Sequence, residues 1–374
     1  MHGSRPRLGA ACLAACALAV SGVAQQAQQK GKPERALTPP PPFQGSLAEA
    51  RALAADRNVP LLVVAIFEDD AWDPKVQHDQ VGLIKDLLES RDLAGVLQRS
   101  IVLLGCNRPH ELETVEVVSG ETRTTVRRCP SYHTDSCTVH QHVFEAAYAA
   151  WNKDGELISP HVVLIAPSGE VSVLRDNGST PSAGDLLQEL QKAQKTAGEG
   201  LSGEEHTKVQ QLAGVARSAV DTGKHGSAWR AWSEMQNIAH ASRYAEMARQ
   251  GTVAALAALE TSRAQAQAEL DAGRPVEGYK ILEALAKDWA GTPRERELTV
   301  RVRELEMDKQ HRAAIQTFKR EREAEGLAAE IEALVASGDK KRASAKLRGL
   351  LKAYADCAAA ERARQRWPEL AGGQ

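Results

Sequence analysis

The sequence predicts an α/β N-terminal domain with a β-hairpin insertion, followed by an all-α C-terminal domain of helical-repeat-like character. Three observations predict it. Continuous apolar runs at Leu61–Phe67 and Val162–Ile165 alternate with helix-period stretches, as strands buried on both faces of a sheet do. Two β-rich segments, 113–118 and 121–126, flank Ser119-Gly120, which is a hairpin signature. Beyond about Leu201 the strand signals stop, and the helix formers Ala, Glu, Arg, Lys, Gln and Leu dominate.

Composition bounds the function. A chain of 374 residues suggests two or three domains, at roughly 100–200 residues each. Lys plus Arg is 47 against 49 Asp plus Glu, a net charge of −2, which excludes the basic balance of a general nucleic-acid binder. Aromatic residues are only 4%, so the core must be largely aliphatic.

The N-terminus reads as a targeting segment. Arg5 and Arg7 precede an apolar run, Leu8–Val20, and Gly22-Val23-Ala24 supplies a small-residue exit. These are the marks of a secretory signal peptide over residues 1–24, cleaved after Ala24. The run is shorter than the ~20 residues a membrane span needs, so the mature chain is expected to have no transmembrane segment. Leu13-Ala14-Ala15-Cys16 also fits a lipoprotein box, the lesser alternative. The expected location is periplasmic or extracellular. Residues 25–45, ending in Pro39-Pro40-Pro41-Pro42, read as an extended linker.

The α/β elements follow in order. Ser46 and Glu49 form a capping-box signature for a helix to about Asp56, which Asn58-Val59-Pro60 ends. After the first strand, Val76–Leu97 reads as one helix and Ser100–Leu104 as a second buried strand. The hairpin and a Cys/His-rich segment, Cys129–His142, come next, then a helix over Val143–Trp151 and a turn at Asn152-Lys153-Asp154-Gly155. Ser159-Pro160 opens a strand, Pro167-Ser168-Gly169 turns it into Val171–Leu174, and Ser182–Lys195 closes the domain as a helix.

This order over residues 46–197 resembles the thioredoxin-like superfamily in its exported, thioredoxin_7-type variants. The resemblance rests on the helix leading into Val59-Pro60 and the apolar strand, on Trp72 just after that strand, and on the strand opened by Ser159-Pro160. It implies that Pro160 is cis and lies beside the family's active site. Active members carry Cys-x-x-Cys directly after the tryptophan. Here Asp73-Pro74-Lys75-Val76 stands there, so Asp73 and Val76 replace both cysteines. Dithiol exchange needs a thiolate and a resolving thiol, so the usual activity is expected to be absent at that site. Asp69, Asp70 and Asp73 near Trp72 read as a solvated acidic loop.

The chemistry-bearing feature is instead a cluster of Cys106, His110, Cys129, His133, Cys137, His140 and His142. His110 and Cys129 are equidistant from the expected hairpin turn, so pairing of its arms brings the Cys106/His110 end against the Cys129/His133 end. Three readings stand at this level. One is a structural disulfide, Cys129–Cys137 or Cys106–Cys129, which export permits. The second is a metal site for zinc or copper, since thiolate and imidazole suit both, with Cys106, His110, Cys129, His133, Cys137 and His140 as candidate ligands. The third is a displaced redox pair activated by Arg127 and Arg128. The sequence carries no phosphate loop, nucleophile elbow or metalloprotease motif.

The C-terminal domain, 201–374, repeats internally. Aligning Gly223, Gly273 and Gly338 brings small residues together five positions on (Ala228, Gly278, Ala343) and apolar ones nine on (Trp232, Leu282, Leu347). Met235, Leu285 and Leu350 align twelve on, and Ala239, Trp289 and Tyr354 sixteen on. The spacing sets them on one helix face. The pattern resembles degenerate tetratricopeptide-like repeats, although 50 and then 65 residues separate the glycines. Such repeats present surfaces for protein partners. The leading expectation is an exported, non-catalytic binding or scaffolding module. Metal binding or a metallochaperone-like role, and a thiol–disulfide oxidoreductase with shifted cysteines, are the alternatives.

Overall fold

Ser46 opens the first helix by the mechanism its spacing from Glu49 implies. Its hydroxyl accepts the Glu49 N–H (3.2 Å), while the Glu49 carboxylate accepts the Ser46 N–H (2.8 Å). This helix, α1 (Leu47–Arg57), stops where Asn58 adopts a left-handed conformation, φ 56°. The computed structural model describes residues 38–69, 74–119, 122–151, 159–174, 180–198, 200–240 and 242–371. The segment 1–24 read as a signal peptide, with Cys12 and Cys16, most of the expected linker, Asp70, Trp72, Asp73, Gly120 and the expected turn at Asn152–Gly155 lie outside the described residues.

A four-stranded sheet follows, in the order β2-β1-β5-β6. β1 (Leu61–Ile66) pairs parallel with β2 (Ile101–Cys106) and antiparallel with β5 (His161–Ile165), which pairs antiparallel with β6 (Val171–Val173). Every residue of β1, β2 and β5 is buried, for a plain reason. Leu62, Val64 and Ile66 face a layer formed by α2 (Pro74–Glu89), α3 (Arg91–Gln98) and α5 (Ala183–Ala197). Leu61, Val63 and Ala65 face α1 and α4 (Cys137–Trp151). A strand covered on both faces has no polar side, hence the unbroken apolar runs.

Three elements differ from the sequence expectation. The single helix over 76–97 is two, broken at Ser90. Leu83, Ile84 and Leu87 lie on one stripe of α2, whereas Leu93, Val96 and Leu97 fall on a different angular face of a continuous helix; the break rephases both onto one core. The helix expected from Val143 begins at Cys137, where Ser136 Oγ accepts the Thr138 N–H (3.3 Å). Its first two turns carry Cys and His instead of an apolar stripe, which hides them from periodicity. The hairpin strands are β3 (Glu113–Ser119) and β4 (Thr122–Arg128), paired Glu113↔Arg128 to Ser119↔Thr122 as a separate two-stranded sheet. The ladder is thus centred one residue beyond Ser119-Gly120, with the same faces retained.

The rest of the chain is helical: α6 (Gly203–Asp221), α7 (His225–Ile238), α8 (Arg243–Asp271), α9 (Pro275–Asp288), α10 (Glu295–Met307), α11 (Arg312–Ala336), α12 (Lys340–Ala353), α13 (Ala358–Arg366) and α14 (Pro368–Ala371). Gly223, Gly273 and Gly338 occupy equivalent turns after α6, α8 and α11, each at positive φ (71°, 74°, 82°). At each, the glycine N–H bonds a carbonyl three residues back and the following N–H one five back: Val220 and Ala219, Leu270 and Glu269, Val335 and Leu334. That is the bonding of a Schellman cap, whose left-handed residue favours glycine. The aligned small and apolar residues Ala228, Ala343, Trp232, Leu282, Leu347, Met235 and Leu350 are all buried. At Gly278 an added Cβ would sit 2.8 Å from the Leu270 side chain and 2.9 Å from the Ala266 carbonyl, so α8 and α9 require the small residue there.

The α/β and helical parts belong to one compact unit. The buried Arg57 guanidinium donates to the carbonyls of Leu201 (2.8 Å) and Gln98 (2.9 Å). Asp56 Oδ2 meets His206 Nε2 (2.9 Å) and accepts the Tyr244 hydroxyl (3.1 Å). No helix among the described residues is long and apolar enough to cross a membrane.

Candidate metal centre

The hairpin makes the Cys/His cluster spatial. His110 follows β2, Cys129 follows β4, and Cys137 and His140 occupy the first turn of α4. One donor atom from each of His110, Cys129, Cys137 and His140 lies within 4.8 Å of all the others. Donors on a tetrahedral zinc, with Zn–S near 2.3 Å and Zn–N near 2.0–2.1 Å, stand about 3.3–3.8 Å apart. The set therefore needs only a small inward adjustment to enclose an ion.

The histidine nitrogens are sorted as an ion would require. His110 Nε2 lies 3.1 Å from Glu68 Oε2, a carboxylate that can only accept. The proton therefore sits on Nε2, and Nδ1, buried and without a hydrogen-bond partner, presents its lone pair. His140 Nδ1 faces the Cys106 carbonyl at 3.5 Å, which likewise places the proton there, and its buried Nε2 has no partner. A metal-bound imidazole commonly anchors its other nitrogen on a carboxylate or carbonyl. Both histidines show that pattern.

The sulfur environments are polar at close range. Cys137 Sγ accepts the His110 N–H (3.2 Å) and donates to the His110 carbonyl (3.1 Å). Burial pushes the Cys129 thiol up, while the backbone amides of Tyr132 and Ser131 favour its thiolate. Burial also lowers the His140 pKa, keeping the neutral form that ligates. All four cysteines described, Cys106, Cys129, Cys137 and Cys357, stand as thiols.

The structure divides the six predicted ligands. Cys106 is not within the four-residue set; it stands with Glu68 and His110, their donor atoms also within 4.8 Å of one another. Burial pushes its thiol up to about 12. His133 belongs to neither group. It sits in left-handed backbone (φ 53°) and lines the neighbouring cleft, its pKa lowered by burial and then by Arg128. His142 is exposed on α4. Of the two residues that the resemblance sets at the dithiol positions, Asp73 lies outside the described residues and Val76 falls in the first turn of α2.

Two members of the site escaped the sequence reading. Glu68 is the second residue beyond β1. Burial acts to raise its pKa, but hydrogen bonds from Tyr132 and Cys106 and the nearby His110 outweigh that, and the carboxylate is held below its ordinary value. Tyr132 is buried; its hydroxyl donates to Glu68 Oε1 (2.8 Å) and its ring stacks on His140 at 5.0 Å between centroids. The legible signals were a carboxylate at the end of the central strand and a tyrosine three residues after Cys129.

A cleft of about 470 Å³ adjoins the centre, lined by Ile66, Glu68, Ile84, Lys85, His110 and Tyr132 among others. Nearby, the Ser159–Pro160 bond is cis, and Ser159 Oγ accepts from the Phe67 N–H (2.9 Å) and Gln80 Nε2 (3.0 Å). These bonds tie the start of β5 to the segment that carries Glu68.

No family model, curated protein or solved structure matches the chain.

Proposed function

We propose that this chain is an exported, thioredoxin-like protein in which a closed Cys2His2 zinc centre, formed by His110, Cys129, Cys137 and His140, stands in place of the redox dithiol. The observation that carries the reading is a set of two thiols and two imidazoles with one donor atom each within 4.8 Å of the others, in which His110 Nδ1 and His140 Nε2 are buried without partners while the opposite nitrogens face Glu68 and the Cys106 carbonyl. Two thiolates and two imidazoles suit zinc, with copper the competitor. Four protein ligands leave no open position for a substrate. The centre is therefore a structural clip, which agrees with a non-catalytic binding module.

The strand order β2-β1-β5-β6, with antiparallel β5 and β6 and a cis proline before β5, supports the thioredoxin-like reading. The three equivalent helical hairpins support a tetratricopeptide-like reading of the C-terminal part, whose role is to bind a protein partner. The basic, apolar and small-residue order of residues 1–24 supports export.

The test is elemental analysis with a thiol count on protein purified without metal-chelating resin. One zinc per chain, lost in Cys137→Ser and in His140→Ala, is expected. Protein without stoichiometric metal, or with metal that survives both substitutions, would overturn the reading.

A further inference from the structure

We propose that the centre is a redox-released clip: a hydroperoxide converts the Cys129 and Cys137 thiolates into a disulfide, expels the ion and frees the His110 segment. This rests on the zinc reading above.

The argument is one of connectivity. The ion would join three stretches of chain: the β2–β3 connection through His110, the β4–α4 connection through Cys129, and the first turn of α4 through Cys137 and His140. A Cys129–Cys137 bridge joins only the last two. Oxidation therefore does not replace one cross-link by an equivalent one. It keeps the short link and drops the long one.

The sulfurs are placed for this exchange. Both belong to the same four-atom set, within 4.8 Å of each other. Cys137 alone among the four described cysteines is partly exposed, so of the two cysteines in the set it is the nearer to solvent. Cys106 is fully buried on β2, and Cys357 is buried among Ala359, Ala360 and Ala363 in the helical part. Neither belongs to the four-donor set. Once both sulfurs are lost as donors, two imidazoles remain, too few for a closed site.

The step balances. The Cys137 thiolate attacks one oxygen of hydrogen peroxide, the O–O bond breaks, and hydroxide leaves, giving a sulfenic acid. The Cys129 thiolate then attacks that sulfur, forms the S–S bond and displaces hydroxide. Two thiolates lose two electrons to the peroxide, two protons from solvent complete two waters, and the zinc ion departs unchanged.

The consequence lies at the hairpin and the cleft. Cys137 Sγ accepts the His110 N–H (3.2 Å), and drawing it into a disulfide weakens that hold. The β3–β4 ladder is a separate two-stranded sheet, a unit of marginal stability by itself. His110 and Tyr132 also line the cleft, so its wall loosens with the ion.

The experiment treats zinc-loaded full chain with one equivalent of hydrogen peroxide. It follows released zinc with a chromogenic chelator, free thiols by titration, the bridge by peptide mapping, and amide exchange over residues 107–119. Two thiols lost per zinc released, a Cys129–Cys137 peptide, faster exchange at 107–119 and full reversal by a thiol reductant plus zinc are expected. His110→Ala, which lacks a ligand and does not load zinc, should form the same bridge with no zinc to release. A loaded chain that keeps its zinc with Cys129 and Cys137 reduced under excess peroxide overturns this proposal alone. So does zinc loss with both thiols intact. A chain that never takes up zinc overturns the metal reading along with it.

Discussion

Glu68→Gln is the most discriminating single change at the centre, because it preserves shape and removes only acceptor capacity. The carboxylate serves two donors at once, the Tyr132 hydroxyl on Oε1 (2.8 Å) and His110 Nε2 on Oε2 (3.1 Å). A glutamine has one acceptor oxygen, so whichever way the amide turns, one donor faces an NH2 group. The Tyr132 hydroxyl can rotate and donate elsewhere, but the His110 N–H is fixed by the ring and must keep its proton there for Nδ1 to ligate. A hydrogen bond to a charged group contributes about 1.5–3 kcal/mol. At about 1.4 kcal/mol per decade that predicts zinc affinity lower by about 10- to 140-fold. Outer-shell partners of metal ligands generally contribute about 10- to 100-fold, an independent estimate of the same size. The assay is competition for zinc against a chelator of known affinity, with circular dichroism confirming that the variant is folded. A folded Glu68→Gln chain that binds zinc as tightly as the parent would refute the assignment of His110 Nδ1 as a ligand.

Three further outcomes follow from the packing. Gly105→Ala should destabilise the fold by about 1–3 kcal/mol, the usual cost of overpacking. Its Cβ would lie 2.7 Å from the Phe144 amide nitrogen and 3.0 Å from its Cα, backbone of α4 that cannot swing aside; because α4 carries Cys137 and His140, zinc affinity should fall with the melting temperature. Arg57→Ala should cost about 2–4 kcal/mol by leaving the Leu201 and Gln98 carbonyls short of a donor. Burial lowers that guanidinium to about 10 without discharging it near neutrality, so a lower urea midpoint and faster proteolysis near residues 198–203 are expected at pH 7, and an unchanged midpoint would count against the junction described. Glu283→Gln tests a pH dependence. The Arg322 guanidinium, opposed by partial burial and aided by the Tyr279 hydroxyl, holds the Glu283 carboxyl below its ordinary 4.5. A depressed folded pKa gives stability that is complete above 4.5 and lost as pH falls through the lower folded value. The difference between parent and variant should therefore be flat above pH 4.5, shrink below it and weaken with salt, since both side chains are a third or more exposed; a difference that grows on acidification would refute the pairing.

How much was legible follows from which forces are local. The Ser46–Glu49 capping box, the helix end at Asn58-Val59-Pro60 and the glycine turns are set within a few residues, and each is found where its spacing put it. The strands β1, β2 and β5 were legible because burial on both faces leaves a continuous apolar run. Periodicity failed where the apolar stripe changes phase, at Ser90, and where ligand-type residues replace it, at the start of α4. The hairpin was legible, but its pairing register was displaced by two residues, with Glu113 opposite Arg128 and not Val126, because side-chain alternation fixes the face and not the exact pair.

The sequence by itself determined that an α/β part with a hairpin insertion precedes a repeating helical part, and that thiols and imidazoles gather around the hairpin's base. It could not choose among six candidate ligands, since spacing along the chain does not say which donors converge. The tertiary structure decided that. It brought His110, Cys129, Cys137 and His140 together, left Cys106 and His133 outside the set, and recruited Glu68 and Tyr132 as supports. A donor set is defined by distances of a few ångströms between side chains far apart in sequence, and only the packing of β2, the hairpin and α4 around one point fixes those distances.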